Sequence, residues 1–173
     1  MDFLDVLKTR RSVRRYTSDE VTDDMLEQLI GAAMTAPSAG NQQPWQFIIV
    51  RDREKLATIP EFHPYCKMVV TAPVAVIVCG DPEGKKWPDF WVQDCSAAIQ
   101  NFLLAARDLG LGTVWTGVYP VETRVNGCRE LFSIPENIIP LAIIPVCFPA
   151  EENDFKEIGR YNPALIHRES FQG

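Results

Sequence analysis

Paired cysteines are missing from this sequence. Its five, Cys66, Cys79, Cys95, Cys128 and Cys147, are odd in number and scattered, without the C-x-x-C spacing that zinc or dithiol chemistry uses. They read as small buried hydrophobes of a reducing compartment. Positive charge is also in short supply: the formal net charge of −6 argues against a nucleic-acid partner, which needs an excess of Lys and Arg. No apolar run reaches the length of a bilayer, and the opening MDFLDVLK is acidic and amphipathic, with no apolar h-region. The expectation is a cytoplasmic chain with no membrane partner. Only two histidines occur, His63 and His167, with no Ser-His-Asp pattern around them, so neither is expected to be catalytic. Repeats, low-complexity tracts and linker-like stretches are absent too, which makes residues 1–173 a single domain in this reading.

What is there has the makings of one core, with 46% hydrophobic residues in 173. Phe3, Leu4 and Leu7 share a face of a short predicted helix over Phe3–Lys8. A second begins at Thr22, which can cap it, carries Asp23 and Asp24 at its positive end, and stops before Pro37. Trp45–Val50 and Pro73–Gly80 read as buried strands. The long apolar helix is predicted over Phe90–Leu109, crossing the core or a subunit interface, with Gly110 or Gly112 ending it. Gly112–Tyr119 reads as a strand, Glu122–Phe132 as a helix, and Ile138–Val146 as a strand in which Pro140 and Pro145 are awkward, since proline cannot donate to a sheet ladder. Helices and strands alternate without a βαβ rhythm, so the predicted class is α+β with a mixed or mostly antiparallel sheet flanked by helices. The tail from Glu151 has few apolar residues and is expected either to dangle or to pack on another chain.

Two strings stand out. In TRRSVRRY, Arg10, Arg11, Arg14 and Arg15 frame Ser12. Four guanidinium groups this close repel one another, which suits either a salt-bridged surface or one compact anion such as a phosphate. Arg10 and Arg14 share a face if the first helix continues that far. In PSAGNQQPWQFIIV, the amides of Asn41, Gln42 and Gln43 crowd the entry to a strand. They form either a solvated loop or a set of donors and acceptors for a planar polar head, as a pyrimidine-dione edge requires. A ligand with a phosphate at one end and such a head at the other satisfies both strings, and flavin mononucleotide (FMN) has both parts.

RRSVRRY, PSAGNQQPWQFIIV, DCSAAIQNFLLAARDLGLGTVWTG and RYNPALIH, in this order, resemble the FMN-dependent nitroreductase family over almost the whole chain. The resemblance implies a homodimer of α+β subunits with FMN at the interface, held by both chains. By that resemblance, Arg10, Arg11, Ser12 and Arg14 meet the phosphate and ribityl chain. Pro37, Ser38 and Ala39 line the flavin from the partner subunit, and Asn41 and Gln43 bond its ring or ribityl edge. Thr116 and Gly117 supply backbone contacts around flavin N5, and Arg160 reaches the phosphate. NADH or NADPH would be the reductant and a nitroaromatic, quinone or similar electron-poor small molecule the acceptor. No side chain is expected to act as nucleophile, and no metal is required.

Other outcomes stay open at this level: enone reduction or reductive dehalogenation on the same fold, or a non-catalytic flavin-binding module. Asp94, near the start of the long helix, reads as a helix-dipole partner rather than an acid catalyst. Trp87, Phe90 and Trp91 read equally as a substrate lid or as core.

Overall fold

A computed structural model describes residues 2–151 and 155–171. Helix α1 spans Phe3–Thr9 and α2 spans Asp23–Met34, the latter capped by Thr22, whose Oγ1 accepts from the Met25 N–H at 3.3 Å. Strand β1 is Trp45–Val50, α3 is Arg53–Phe62 and β2 is Val74–Gly80. The long helix α4, Trp91–Asp108, is followed by Gly110 in the left-handed region at φ +75°, where glycine is at home. Two-residue strands β3 (Gly112–Thr113) and β4 (Thr116–Gly117), helix α5 (Glu122–Phe132) and strand β5 (Ile139–Cys147) complete the order.

The sheet runs β1-β2-β5-β3, with β4 also on β5, and every pairing among these strands is antiparallel. Strand β2 is buried along its whole length, because helices cover both faces. Val74, Val76 and Val78 point, with Ala142, Ile144 and Val146, into a cluster with α2 and α4. Ala75, Ile77, Cys79 and Ile143 point the other way, towards α3 and α5. The period of two along each strand thus divides the apolar residues between two cores. All five cysteines are buried free thiols, in keeping with their apolar setting.

The awkward prolines explain the sheet's irregularities. Pro140 pairs with Cys79 where the β2–β5 register shifts, so its missing donor falls at a bulge. Pro145 acts on the other side. Leu141 accepts from the Val118 N–H at 2.9 Å and Ile143 from the Thr116 hydroxyl at 2.6 Å, so by the two-residue period Pro145 also faces this neighbour, without an N–H to give. Strands β3 and β4 share one register against β5 and break at Val114–Trp115, opposite Pro145 and Ile144. The continuous strand expected over Gly112–Tyr119 is therefore two short pieces.

Three further expectations change. Helix α1 ends at Thr9, and Arg10 is already extended at φ −60°, ψ 127°. Arg10 and Arg14 thus do not share a helix face. The sequence offered no assignment for Arg53–Thr71, which folds as α3 and a 3-10 segment over Pro64–Thr71. The start of the tail does not dangle: Arg11 donates to the Lys156 carbonyl at 3.0 Å, and the Phe155 ring lies 4.0 Å from the Arg107 guanidinium. Beyond it, Tyr161, Leu165, Ile166 and Phe171 are exposed. Residues 152–154 and 172–173 of that tail lie outside the described residues.

Candidate functional site

The segment after α1 runs along the outer edge of β3. Ser12 forms a parallel bridge with Thr113, and the Val13 N–H donates to the Thr113 carbonyl at 3.0 Å. Buried Val13 fits here because Gly112 has no side chain: a Cβ there would sit 2.8 Å from Val13 Cγ1. The fold divides the four arginines. Arg15 is paired with Glu151 at 2.5 Å on the surface, Arg11 is tied to the tail carbonyl, and exposed Arg14 donates to the Ser12 carbonyl at 3.3 Å.

Arg10 is different. It lines a cavity of about 250 Å³ with Leu7, Lys8, Ile158 and Arg160, so among the described residues three cations and no carboxylate face the same space. Burial, then the like charges of Arg160 and Arg11, hold the Arg10 pKa below its ordinary value. The structure thus brings together Arg10 and Arg160, 150 positions apart in sequence. Such a set is unfavourable alone and suits a compact anion.

Four residue steps from Thr113, about 14 Å at the usual rise, the same edge offers Gly117. Thr116 turns inward: buried, it donates to Ile143 and lies 3.3 Å from Cys66 Sγ. Because Thr116 and Val118 are bonded to β5, Gly117 directs its own backbone groups to the open edge. Its carbonyl is taken by Arg124 Nη1 at 2.8 Å, and its N–H faces outward.

The amide loop lies elsewhere. Gly40, Asn41 and Gln43 all have positive φ, at +56°, +54° and +48°. Gly40 needs to be glycine twice over, since a Cβ would also meet the Trp87 indole at 3.1 Å. Asn tolerates this region and Gln does so at a cost on the order of 1–3 kcal/mol, so something must hold the loop. Buried Asp94 does: its carboxylate accepts from the Ala39 N–H at 2.9 Å and from Gln42 Nε2 at 3.2 Å. Gln42 also exchanges two hydrogen bonds with the Trp87 backbone, at 2.8 and 3.1 Å, and Ser38 Oγ accepts from the Gln43 N–H at 3.0 Å. The three amides therefore separate. Gln42 is structural, whereas exposed Asn41 and Gln43 meet each other at 3.2 Å and face outward beside Pro37. Asp94 clamps a loop rather than merely serving its helix dipole. Of the aromatic trio, Trp91 is core against Gly80 and the Tyr119 ring, while Trp87 and Phe90 are exposed.

Loop and cation cavity occupy opposite corners of the sheet. The loop enters β1, level with Gly80 and Ile139, whereas Ser12 flanks β3, level with Val146 and Val74. Four strand spacings across, counting the Ser12 segment outside β3, and six or seven residue steps along give roughly 19 and 20–24 Å, so the corners stand on the order of 30 Å apart.

A model of the nitroreductase family matches residues 7–78 and 63–147. The chain belongs to the nitroreductase family. Among relatives of this nitroreductase, a "Putative NADH dehydrogenase/NAD(P)H nitroreductase" of Methanothermobacter thermautotrophicus is 54% identical over 171 residues, 99% of this chain and 88% of the relative. A crystal structure of a protein of the same description from Parabacteroides distasonis superposes with a TM-score of 0.93 at 40% identity, covering 98% of both chains. A nitroreductase of Desulfovibrio desulfuricans described as putative, solved in complex with FMN, gives a TM-score of 0.81 at 30% identity over 99% of each. The α+β sheet and its helices are thus the nitroreductase fold.

Sequence reasoning missed four participants: Lys8 in the cation cavity, Asp94 and Gln42 behind the loop, and Arg124 behind Gly117. A like-charged neighbour at the end of α1 was visible for Lys8. Nothing in the sequence links Asp94 to Ala39, 55 positions away.

Proposed function

We propose that this nitroreductase-family chain is an FMN-dependent NAD(P)H oxidoreductase that works as a homodimer on nitroaromatic, quinone or similarly electron-poor small molecules. One observation carries it: among the described residues three cations and no carboxylate face one cavity, and the outward N–H of Gly117 follows on the same strand edge. The spacing suits a mononucleotide with its phosphate at Arg10, Lys8 and Arg160 and its ring against Gly117. The relatives named for NAD(P)H and the neighbour solved with FMN support the same reading.

The residues fit this cofactor by their chemistry. Lys8, Arg10, Arg14 and Arg160 would neutralise phosphate and Ser12 would hydrogen-bond it, with Arg11 bracing the tail that carries Arg160. Gly117 offers a donor to the ring edge, with Thr116 fixing that strand from inside. Pro37, Ser38, Ala39, Asn41 and Gln43 lie too far away to serve the same molecule in one chain, and in a homodimer they close the site of the partner subunit. The exposed apolar residues Phe3, Leu4 and Leu7 of α1 and those of the tail suit such an assembly. FMN held there would supply the hydride chemistry between a reduced nicotinamide and the acceptor, while the protein supplies placement and electrostatics.

The test is direct. The purified protein should retain FMN, lose the oxidised flavin band on anaerobic addition of NADH or NADPH, and recover it with a nitroaromatic or quinone. Protein that neither retains nor takes up FMN defeats the reading. Reduction without turnover on any acceptor leaves a flavin-binding module instead.

A further inference from the structure

Arg124 has no part in the cation cavity, yet it sits at the second half of the proposed site. Half-buried on α5, it donates from Nη1 to the Gly117 carbonyl at 2.8 Å, and its guanidinium lies 5.4 Å from the Tyr65 ring centroid. Behind it is His63, 1% exposed, with no hydrogen-bond partner for either ring nitrogen among the described residues. Burial, then the charge of Arg124, lower the His63 pKa, while the nearby Gly117 carbonyl acts the other way without reaching hydrogen-bond geometry. Burial thus favours the neutral ring beside a cation that is already bonded.

The arrangement matters because of what Gly117 lacks. With no Cβ and a broken strand before it, opposite Pro145, Gly117 is held to β5 only through its neighbours: Thr116 pairs with Ile143, and the Val118 N–H, in the same peptide unit as the Gly117 carbonyl, donates to Leu141. A charge-assisted bond to that carbonyl anchors the same peptide unit at its other end. We propose that Arg124 is a positioning residue: it fixes the Gly117 carbonyl so that the Gly117 N–H is presented along the open edge, with buried His63 behind the contact and the exposed Tyr65 ring beside the guanidinium. This rests on the cofactor reading above, which places the flavin ring at that edge. The same helix supplies a control. Arg129 donates to the Glu136 and Ile138 carbonyls at 2.7 and 3.3 Å, bracing the turn before β5, four residues ahead of Ala142, the partner of Gly117.

The test compares wild type, Arg124→Leu, Arg124→Lys and Arg129→Leu for apoprotein melting, FMN dissociation constant by flavin fluorescence, and the midpoint potential of bound flavin. Arg124→Leu should weaken FMN binding about tenfold, the size expected for one charged hydrogen bond, and move the potential. Arg124→Lys should recover most of both. Arg129→Leu should lower the melting temperature and move neither beyond what that loss of stability explains. Wild-type affinity and potential in Arg124→Leu would overturn the proposal, as would equal losses in Arg129→Leu at matched melting temperature. Arg124→Gln carries the same comparison should leucine at that position not fold. Wild type that binds no FMN brings down the cofactor reading and this inference together, a result told apart because no variant is involved.

Discussion

The two corners of the sheet hold their polar groups in opposite ways. At the cation corner, Arg10, Lys8 and Arg160 face one another around a cavity that no carboxylate lines among the described residues. At the loop corner, the strained turn through Gly40, Asn41 and Gln43 is tied down by Asp94, Gln42 and Ser38. On the proposed reading, one corner is completed by an anion; the other is tied down by the chain's own groups. Mutation should therefore weaken binding at the first and folding at the second.

The largest effect should come from the clamp. Asp94→Ala leaves the Ala39 N–H and the Gln42 amide without their charged acceptor, and should cost about 2–3 kcal/mol in urea unfolding of the apoprotein. An Asp94→Ala protein as stable as wild type would erase the contrast. At the other corner, Arg10→Ala should weaken FMN by about 1.5–3 kcal/mol, tenfold or more, while apoprotein stability stays level or rises because a crowded cation is gone. Unchanged FMN retention after dialysis would count against the cavity. A smaller effect is expected from acid. Burial, and then Arg124, place the His63 pKa below its ordinary 6.5. Below that value the unfolded chain binds a proton that the folded ring resists, so stability should fall as pH drops from about 6.5 and stay flat above it. Melting curves should lose this acid slope in His63→Phe. The smallest change belongs to Arg15→Ala. Its partner Glu151 and it are both exposed, so stability should shift by less than about 1 kcal/mol and FMN affinity not at all.

Much of this was legible along the chain because local pattern and tertiary need agree. Thr22, the acidic pair after it and the spacing of Leu26, Leu29 and Ala33 mark α2 without help from elsewhere. The unbroken apolar run of β2 marks a strand covered on both faces. Arg53–Thr71 was opaque for a physical reason: α3 buries only Leu56 and Ile59 and contains Pro60, and Pro64 opens the next segment, so prolines obscure a weak helical period. The arginine string showed where an anion could bind but not which guanidinium groups would be left over. That depends on Glu151 and the Lys156 carbonyl coming back from the tail. Arg160 was reached only through family resemblance, and the geometry sets it beside Arg10. Of three neighbouring amides, the one turned inward could not be told from its fellows, since Gln42 meets partners 45 and 52 positions away.

The diagonal placement of the corners has an arithmetic consequence. A small molecule touched by both would count two copies of the chain, so its grip would depend on how much protein is present as well as on how well each copy is built. Dilution alone could then loosen it, with every side chain still in its place.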